Sequence, residues 1–151
     1  MATHPPHPVI LLVEDSDVDY VAFARSIDRT GQKHTLYRCR DGDEALDFLF
    51  EKGRYADSGA APRPSLILLD LNLPGTDGRE VLARVKQDER LRSIPIVVLT
   101  SSTNPRDVSE CYEHGANAYQ VKAVDYDRFK LDVQRAVDYW FGTAVVPAPE
   151  A

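Results

Sequence analysis

A chain of 151 residues, 43% hydrophobic and 28% charged, has room for one packed domain and the composition of an ordinary water-soluble fold, which excludes a fibrous or disordered chain. Its formal net charge of -6 would repel a phosphate backbone, and no Lys/Arg stripe interrupts the acidic balance, so direct nucleic-acid binding is not expected. The apolar runs are too short to span a bilayer, and residues 1–8 have neither the basic start nor the apolar core of a signal peptide; no membrane contact is expected and the cytoplasm is the default compartment.

In chain order, apolar runs alternate with segments of helical period, the pattern of a parallel sheet wrapped by helices on both faces. The first strand, Val9–Val13, is aliphatic throughout, as a strand buried on both faces should be. A helix follows, with Tyr20, Phe23, Ala24 and Ile27 at i, i+3, i+4, i+7 and Gly31 placed to stop it. Thr35–Cys39 mixes β-branched, aromatic and polar residues and suits an edge strand. Asp41, with Glu44 three residues on, opens a second helix that turns Leu46, Leu49 and Phe50 inward. The Gly/Ala/Pro-rich stretch 53–64 reads as a surface insertion. Leu66–Leu69 and residues 96–99 are again aliphatic and read as central strands. Asn104 caps a later helix, with Pro105 at its first position and Gly115 past its end, and Ala118–Val121 is the second edge strand. The last and longest helix runs from a cap at Asp125 through Phe129, Val133, Ala136, Val137 and Trp140. The expected organisation is a tail at 1–8, one domain at 9–141 and a tail at 142–151. Cys39 and Cys111 form no Cys-x-x-Cys pair and read as idle thiols, and His4 and His7 sit in a Pro-rich tail where their spacing carries no metal signal.

Ligands of an open α/β sheet bind outside the carboxyl ends of its strands. There the sequence places Glu14 and Asp15 after the first strand, Asp70 at the end of the third, Thr100 at the end of the fourth and Lys122 after the fifth. Singly, such an acid is often a helix cap and such a lysine points to water. Together, converging carboxylates raise each other's pKa unless a cation neutralises them. Oxygen donors without His or Cys suit Mg2+ rather than zinc, with Mn2+ or Ca2+ able to substitute. A carboxylate beside such an ion, with an ammonium and a hydroxyl nearby, has the parts that phosphoryl transfer needs, and Asp70 is the expected nucleophile.

The segments VILLVEDS, LILLDLNLPGTDG, PIVVLTSS and GANAYQVK, in that order at the strand ends, closely resemble the receiver domains of bacterial two-component response regulators, over nearly all of residues 9–141. The resemblance implies a flavodoxin-like α/β fold, a five-stranded parallel sheet in the order 2-1-3-4-5 with helices on both faces. It implies that Asp70 accepts a phosphoryl group from a sensor histidine kinase. Asp15, Asp70 and the backbone carbonyl of Asn72 would hold Mg2+, with Glu14 contributing through water. Lys122 would pair with a phosphoryl oxygen, Thr100 would move to hydrogen-bond it, and Tyr119 would follow inward as the switch aromatic. Three positions depart from the family pattern: Glu14 replaces a common Asp, Ala123 a common Pro after the lysine, and Thr76 a common Met.

The insertion, the aromatic helix end (Tyr139, Trp140, Phe141) and the Val145, Val146, Pro147 tail resemble the single-domain regulators that serve bacterial phytochrome kinases. The apolar groups past the core predict a two-fold homodimer through the fourth helix, fifth strand, fifth helix and C-terminal tail. Two other readings stand beside signalling without enzymatic turnover. A Mg2+-dependent aspartate-nucleophile phosphohydrolase would carry a second Asp where Asn72 stands, and a scaffold that is never phosphorylated would not need the full set of Asp15, Asp70, Thr100 and Lys122.

Overall fold

The wholly aliphatic strands lie in the middle of the sheet. The computed structural model describes residues 7–28, 33–57 and 59–147. Strands β1 (Val9–Val13), β3 (Leu66–Leu69) and β4 (Ile96–Thr100) are buried along their whole length. The more polar β2 (Thr35–Cys39) and β5 (Ala118–Val121) form the edges, giving the all-parallel order β2-β1-β3-β4-β5 that was expected. Side chains alternate across the sheet. Ile10, Leu12, Leu68 and Val97 face α1 (Asp17–Asp28) and α5 (Tyr126–Asp138), where Phe23, Ile27, Phe129 and Val133 meet them. Leu11, Val13, Leu69 and Val98 face the side covered by α2 (Gly42–Phe50), α3 (Gly78–Gln87) and α4 (Pro105–Glu113), with Phe48, Leu82 and Cys111.

The expected caps form. Asp41 accepts from the Glu44 N–H at 2.7 Å, Asn104 from Arg106 at 3.0 Å and Asp125 from Arg128 at 2.9 Å. Each satisfies an amide that the helix itself leaves free. Gly115, at φ +101°, follows α4 in a conformation that favours glycine. Gly31 lies outside the described residues, as does His4.

Elsewhere the packing departs from the sequence reading. In α1 the buried face is Ala22, Phe23, Ser26 and Ile27, and Ala24 is only half-buried. Ser26 is tolerated there because its hydroxyl donates to the Ala22 carbonyl at 2.7 Å. In α2 Phe48 is the buried aromatic and Phe50 sits at the margin, because Phe48 fits between Tyr37 and Tyr55 at ring separations of 5.5 and 5.0 Å. Tyr55 therefore ties the 53–64 stretch to the core, and Ala61 and Pro64 are buried there. That stretch is partly a lining of the domain and not all surface. At the C-terminal end, the helix continues through a wider turn at Tyr139–Thr143, so the helical body passes the expected limit of 141. Trp140 and Phe141 pack half-buried against the α1–α5 side. The Lys122–Ala123 peptide is trans. Among the described residues no helix is long and apolar enough to cross a membrane.

Candidate phosphoryl-acceptor and metal site

Strand register brings the site together. Val13 pairs with Leu69, so the next residues, Glu14 and Asp70, emerge side by side, and the Asp70 N–H donates to the Val13 carbonyl at 3.1 Å. Thr100 pairs with Val121, and the Lys122 N–H donates to the Thr100 carbonyl at 2.7 Å. Oxygens from Glu14, Asp15 and Asp70 lie within 4.8 Å of one another. Glu14 and Asp70 are 3% and 7% exposed, whereas Asp15 faces solvent. Local contacts fix the acids: the Ser16 N–H donates to Glu14 Oε1 at 3.1 Å, and the Asn72 N–H reaches Asp70 Oδ1 at 3.4 Å. Gly78, at the start of α3, packs so closely on this strand end that a Cβ would stand 2.2 Å from the Asp70 carbonyl oxygen. Only glycine lets α3 approach so near.

Lys122 spans the cluster. Its ammonium donates to Glu14 Oε2 at 2.6 Å, Asp70 Oδ2 at 2.8 Å and Asp19 Oδ2 at 2.9 Å. Asp19 is a site residue that the sequence reading missed. Its only signal is an extra acid in the first turn of α1, on a helix that starts at the same edge. Burial pushes the Glu14 carboxyl up to about 7 against the opposing pull of Lys122. For Lys122, burial disfavours the charge, but hydrogen bonds to Asp70, Glu14 and Asp19 overcome it and hold the ammonium above the ordinary lysine range. The donor set of clustered carboxylate oxygens, with no His or Cys among them, fits a hard divalent cation.

On the other side of the edge, Thr100 is fully buried and its Oγ1 accepts from the Ser102 N–H at 3.5 Å. Tyr119 is half-buried against the α2–α3–α4 side and donates its hydroxyl to the Ser102 carbonyl at 2.9 Å. Burial pushes its phenol up. The Ser102 hydroxyl donates to Asp107 at 2.5 Å, and the Ser102 hydrogen bond followed by the Arg79 guanidinium holds the Asp107 carboxyl below the usual carboxylate range. Ser102, Asp107 and Arg79 are also absent from the sequence-predicted set.

An acidic pocket closing on one lysine, at the carboxyl edge of a 2-1-3-4-5 sheet with a buried threonine opposite, defines a response-regulator receiver domain. The chain belongs to that family, whose description, response regulator receiver domain, matches residues 10–134. It is a response regulator of two-component signalling. Response regulator Rcp1 of Synechocystis sp. is 46% identical over 95% of each chain. The Mn2+-bound crystal structure of Rcp1 superposes with a TM-score of 0.88 at 45% identity, covering 93% of this chain and 99% of that one. The phosphorylated cyanobacterial phytochrome response regulator RcpA gives 0.89 at 39% identity, covering 94% and 99%. The probable methanogenesis regulatory protein FilR2 of Methanothrix harundinacea is 39% identical over 93% of this chain and 88% of its own.

Proposed function

We propose that the chain is a receiver that takes a phosphoryl group from a sensor histidine kinase onto Asp70, with Mg2+ as its cofactor, and signals by a change of shape. The observation that carries this reading is Lys122 bonded to Asp70 and Glu14 beside the three-carboxylate cluster, with Thr100 buried at the neighbouring strand end. An Asp70 carboxylate oxygen attacks phosphorus; the new O–P bond forms as the N–P bond to the kinase histidine breaks, and the imidazole leaves with the electron pair. Asp15, Asp70 and the Asn72 carbonyl, with Glu14 contributing through water, would hold Mg2+, and Mn2+ or Ca2+ would substitute; the ion would supply the positive charge that lets Asp70 meet an anion. Lys122 exchanges its bond to Asp70 for one to a phosphoryl oxygen, Thr100 donates to another, and Tyr119 reads the movement out on the β5 side.

The product stays on the protein, so the role is signalling and not turnover. The similarity to the cyanobacterial phytochrome response regulator RcpA supports a phytochrome-type kinase as the partner. The acidic charge supports a readout through protein contacts without nucleic acid. The receiver body is assigned to residues 9–141 and its helical end through Thr143. Asp70→Asn is expected to abolish phosphoryl uptake from acetyl phosphate or kinase, read as an 80-Da-class adduct by mass spectrometry of the intact chain, about a hundred-fold or more below wild type. An undiminished adduct on the variant would reject Asp70.

The two-fold homodimer through α4, β5, α5 and the C-terminal segment is part of the same reading. Of the apolar groups past the core, Trp140 and Phe141 pack on their own domain, while Tyr139 and Val145 are exposed, and Val121, Val124 and Tyr112 join them. Covering that face across a two-fold axis removes apolar area from water at ~25 cal/mol per Å2. Light scattering should show a dimer for the full chain and a monomer for a chain ending at Thr143 with Tyr139→Ser. A monomer throughout the micromolar range would end the proposal.

A further inference from the structure

Ser102 is the meeting point of four interactions. Its N–H points to Thr100 Oγ1, its carbonyl accepts the Tyr119 hydroxyl, its Oγ accepts the Asn104 N–H at 3.3 Å, and its own hydroxyl proton goes to Asp107 Oδ2. The other Asp107 oxygen accepts from Arg79 Nε at 3.0 Å and Nη2 at 2.9 Å. Arg79 is in turn held from behind, its Nη1 donating to both oxygens of Asp77 at 3.1 Å. Arg79 follows Gly78, which packs on the Asp70 carbonyl and donates its N–H to Leu71 at 2.9 Å. A continuous path therefore runs from the backbone that carries Asp70, through Arg79 and Asp107, to the β4–α4 loop that touches both Thr100 and Tyr119.

We propose that the Arg79–Asp107 ion pair is a latch that positions this loop through the Ser102 hydroxyl and so sets how readily the domain is phosphorylated at Asp70. The inference rests on the reading of Asp70 given above. A loop between a strand and a helix has few backbone bonds of its own, so the side chains that tie it down decide its order. Asp107 is 14% exposed and Arg79 30%, and the guanidinium forks between two carboxylates, a geometry that holds better than an isolated surface pair. With the loop held, the Thr100 hydroxyl is kept near the place where phosphoryl oxygens arrive, and ordering it is not added to the barrier. With the latch open, that ordering is paid at the phosphorylation step. Arg79 and Asp107 touch neither the metal cluster nor the nucleophile; they are positioning residues.

The path is linear, so its members should act as one unit. Arg79→Met is expected to slow uptake from acetyl phosphate about three-fold, in line with a partly shielded ion pair. Ser102→Ala cuts the path downstream and should slow uptake to a similar degree. Adding Arg79→Met to Ser102→Ala should then change nothing further. Mg2+ affinity by calorimetry should stay within about two-fold of wild type in all three. Hydrogen exchange supplies a readout independent of phosphorylation: amides at 101–107 should exchange faster in Arg79→Met, and no faster still when it is combined with Ser102→Ala. Equal slowing by Arg79→Met in both backgrounds, or no change in exchange at 101–107, overturns the latch. Absence of any adduct on wild-type Asp70 would instead overturn the phosphoacceptor reading, with the exchange experiment still deciding the latch. Asp107→Asn serves in place of Arg79→Met should that variant not fold.

Discussion

The sheet carries a partly or largely shielded lysine at each edge, and the two are handled in opposite ways. Lys122, at the carboxyl edge, lies among three carboxylates and stays charged despite burial. Lys86, in the last turn of α3, reaches the amino edge, where it donates to the Arg92 and Ile94 carbonyls at 3.0 and 2.8 Å and to Asn117 Oδ1 at 3.1 Å. Its partners are neutral, and burial pushes its ammonium down to about 8. Neutral acceptors orient an ammonium but do not offset the loss of hydration as carboxylates do. One lysine is thus a structural clamp across the starts of β4 and β5. The other is a counter-charge in an acidic pocket, standing on the same oxygens that a divalent cation would use.

The comparison breaks most visibly at Lys122. If its ammonium competes with the cation for Glu14 and Asp70, Lys122→Met should bind Mg2+ about ten-fold more tightly by calorimetry, since a full positive charge leaves the contact shell of the acids. The same variant should fail to relay phosphorylation to Tyr119. Thr100→Ala sharpens the contrast: it removes a hydroxyl proposed to donate to phosphoryl oxygens and not to ligate the metal, so Mg2+ affinity should stay within about two-fold of wild type. Weaker Mg2+ binding in Lys122→Met would show that the lysine organises the acids instead of competing for them.

The smallest expected effect belongs to Lys86 and concerns pH. An unfolded lysine titrates near ~10.4, whereas the folded one does so near about 8, so between these values the unfolded chain holds more protons. Stability must then rise with pH across that window on account of this group, and stay level below it. Denaturant titrations of wild type and Lys86→Met should diverge in that sense from pH 8 towards 10.5, with the difference moving in favour of wild type. A difference that is flat with pH would mean that the three carbonyl-type acceptors compensate fully for burial.

The edge also shows where reading along the chain stops. The aliphatic runs identify the central strands because a strand buried on both faces has no position that tolerates polarity. The caps at Asp41, Asn104 and Asp125 are legible because capping is a contact between residues two or three apart. Asp70, Glu14, Asp15, Thr100 and Lys122 can be picked out because an apolar run that ends on a polar residue marks the carboxyl edge of the sheet. These are local signals, carried by period and neighbour.

What only the tertiary structure decided is which of these groups touch, and which unremarked ones join them. Asp19 and Lys122 are 103 residues apart, and Arg79 and Asp107 are 28 apart. Neither pairing follows from a period, because each depends on the approach of one helix to another element. For Arg79 that approach depends on Gly78, whose missing Cβ lets α3 close on Asp70; close packing likewise seats Phe48, and not Phe50, between Tyr37 and Tyr55. Polarity and period along the chain determine what each strand end presents; register and close packing determine the angstroms between them, and the chemistry of Asp70 depends on both.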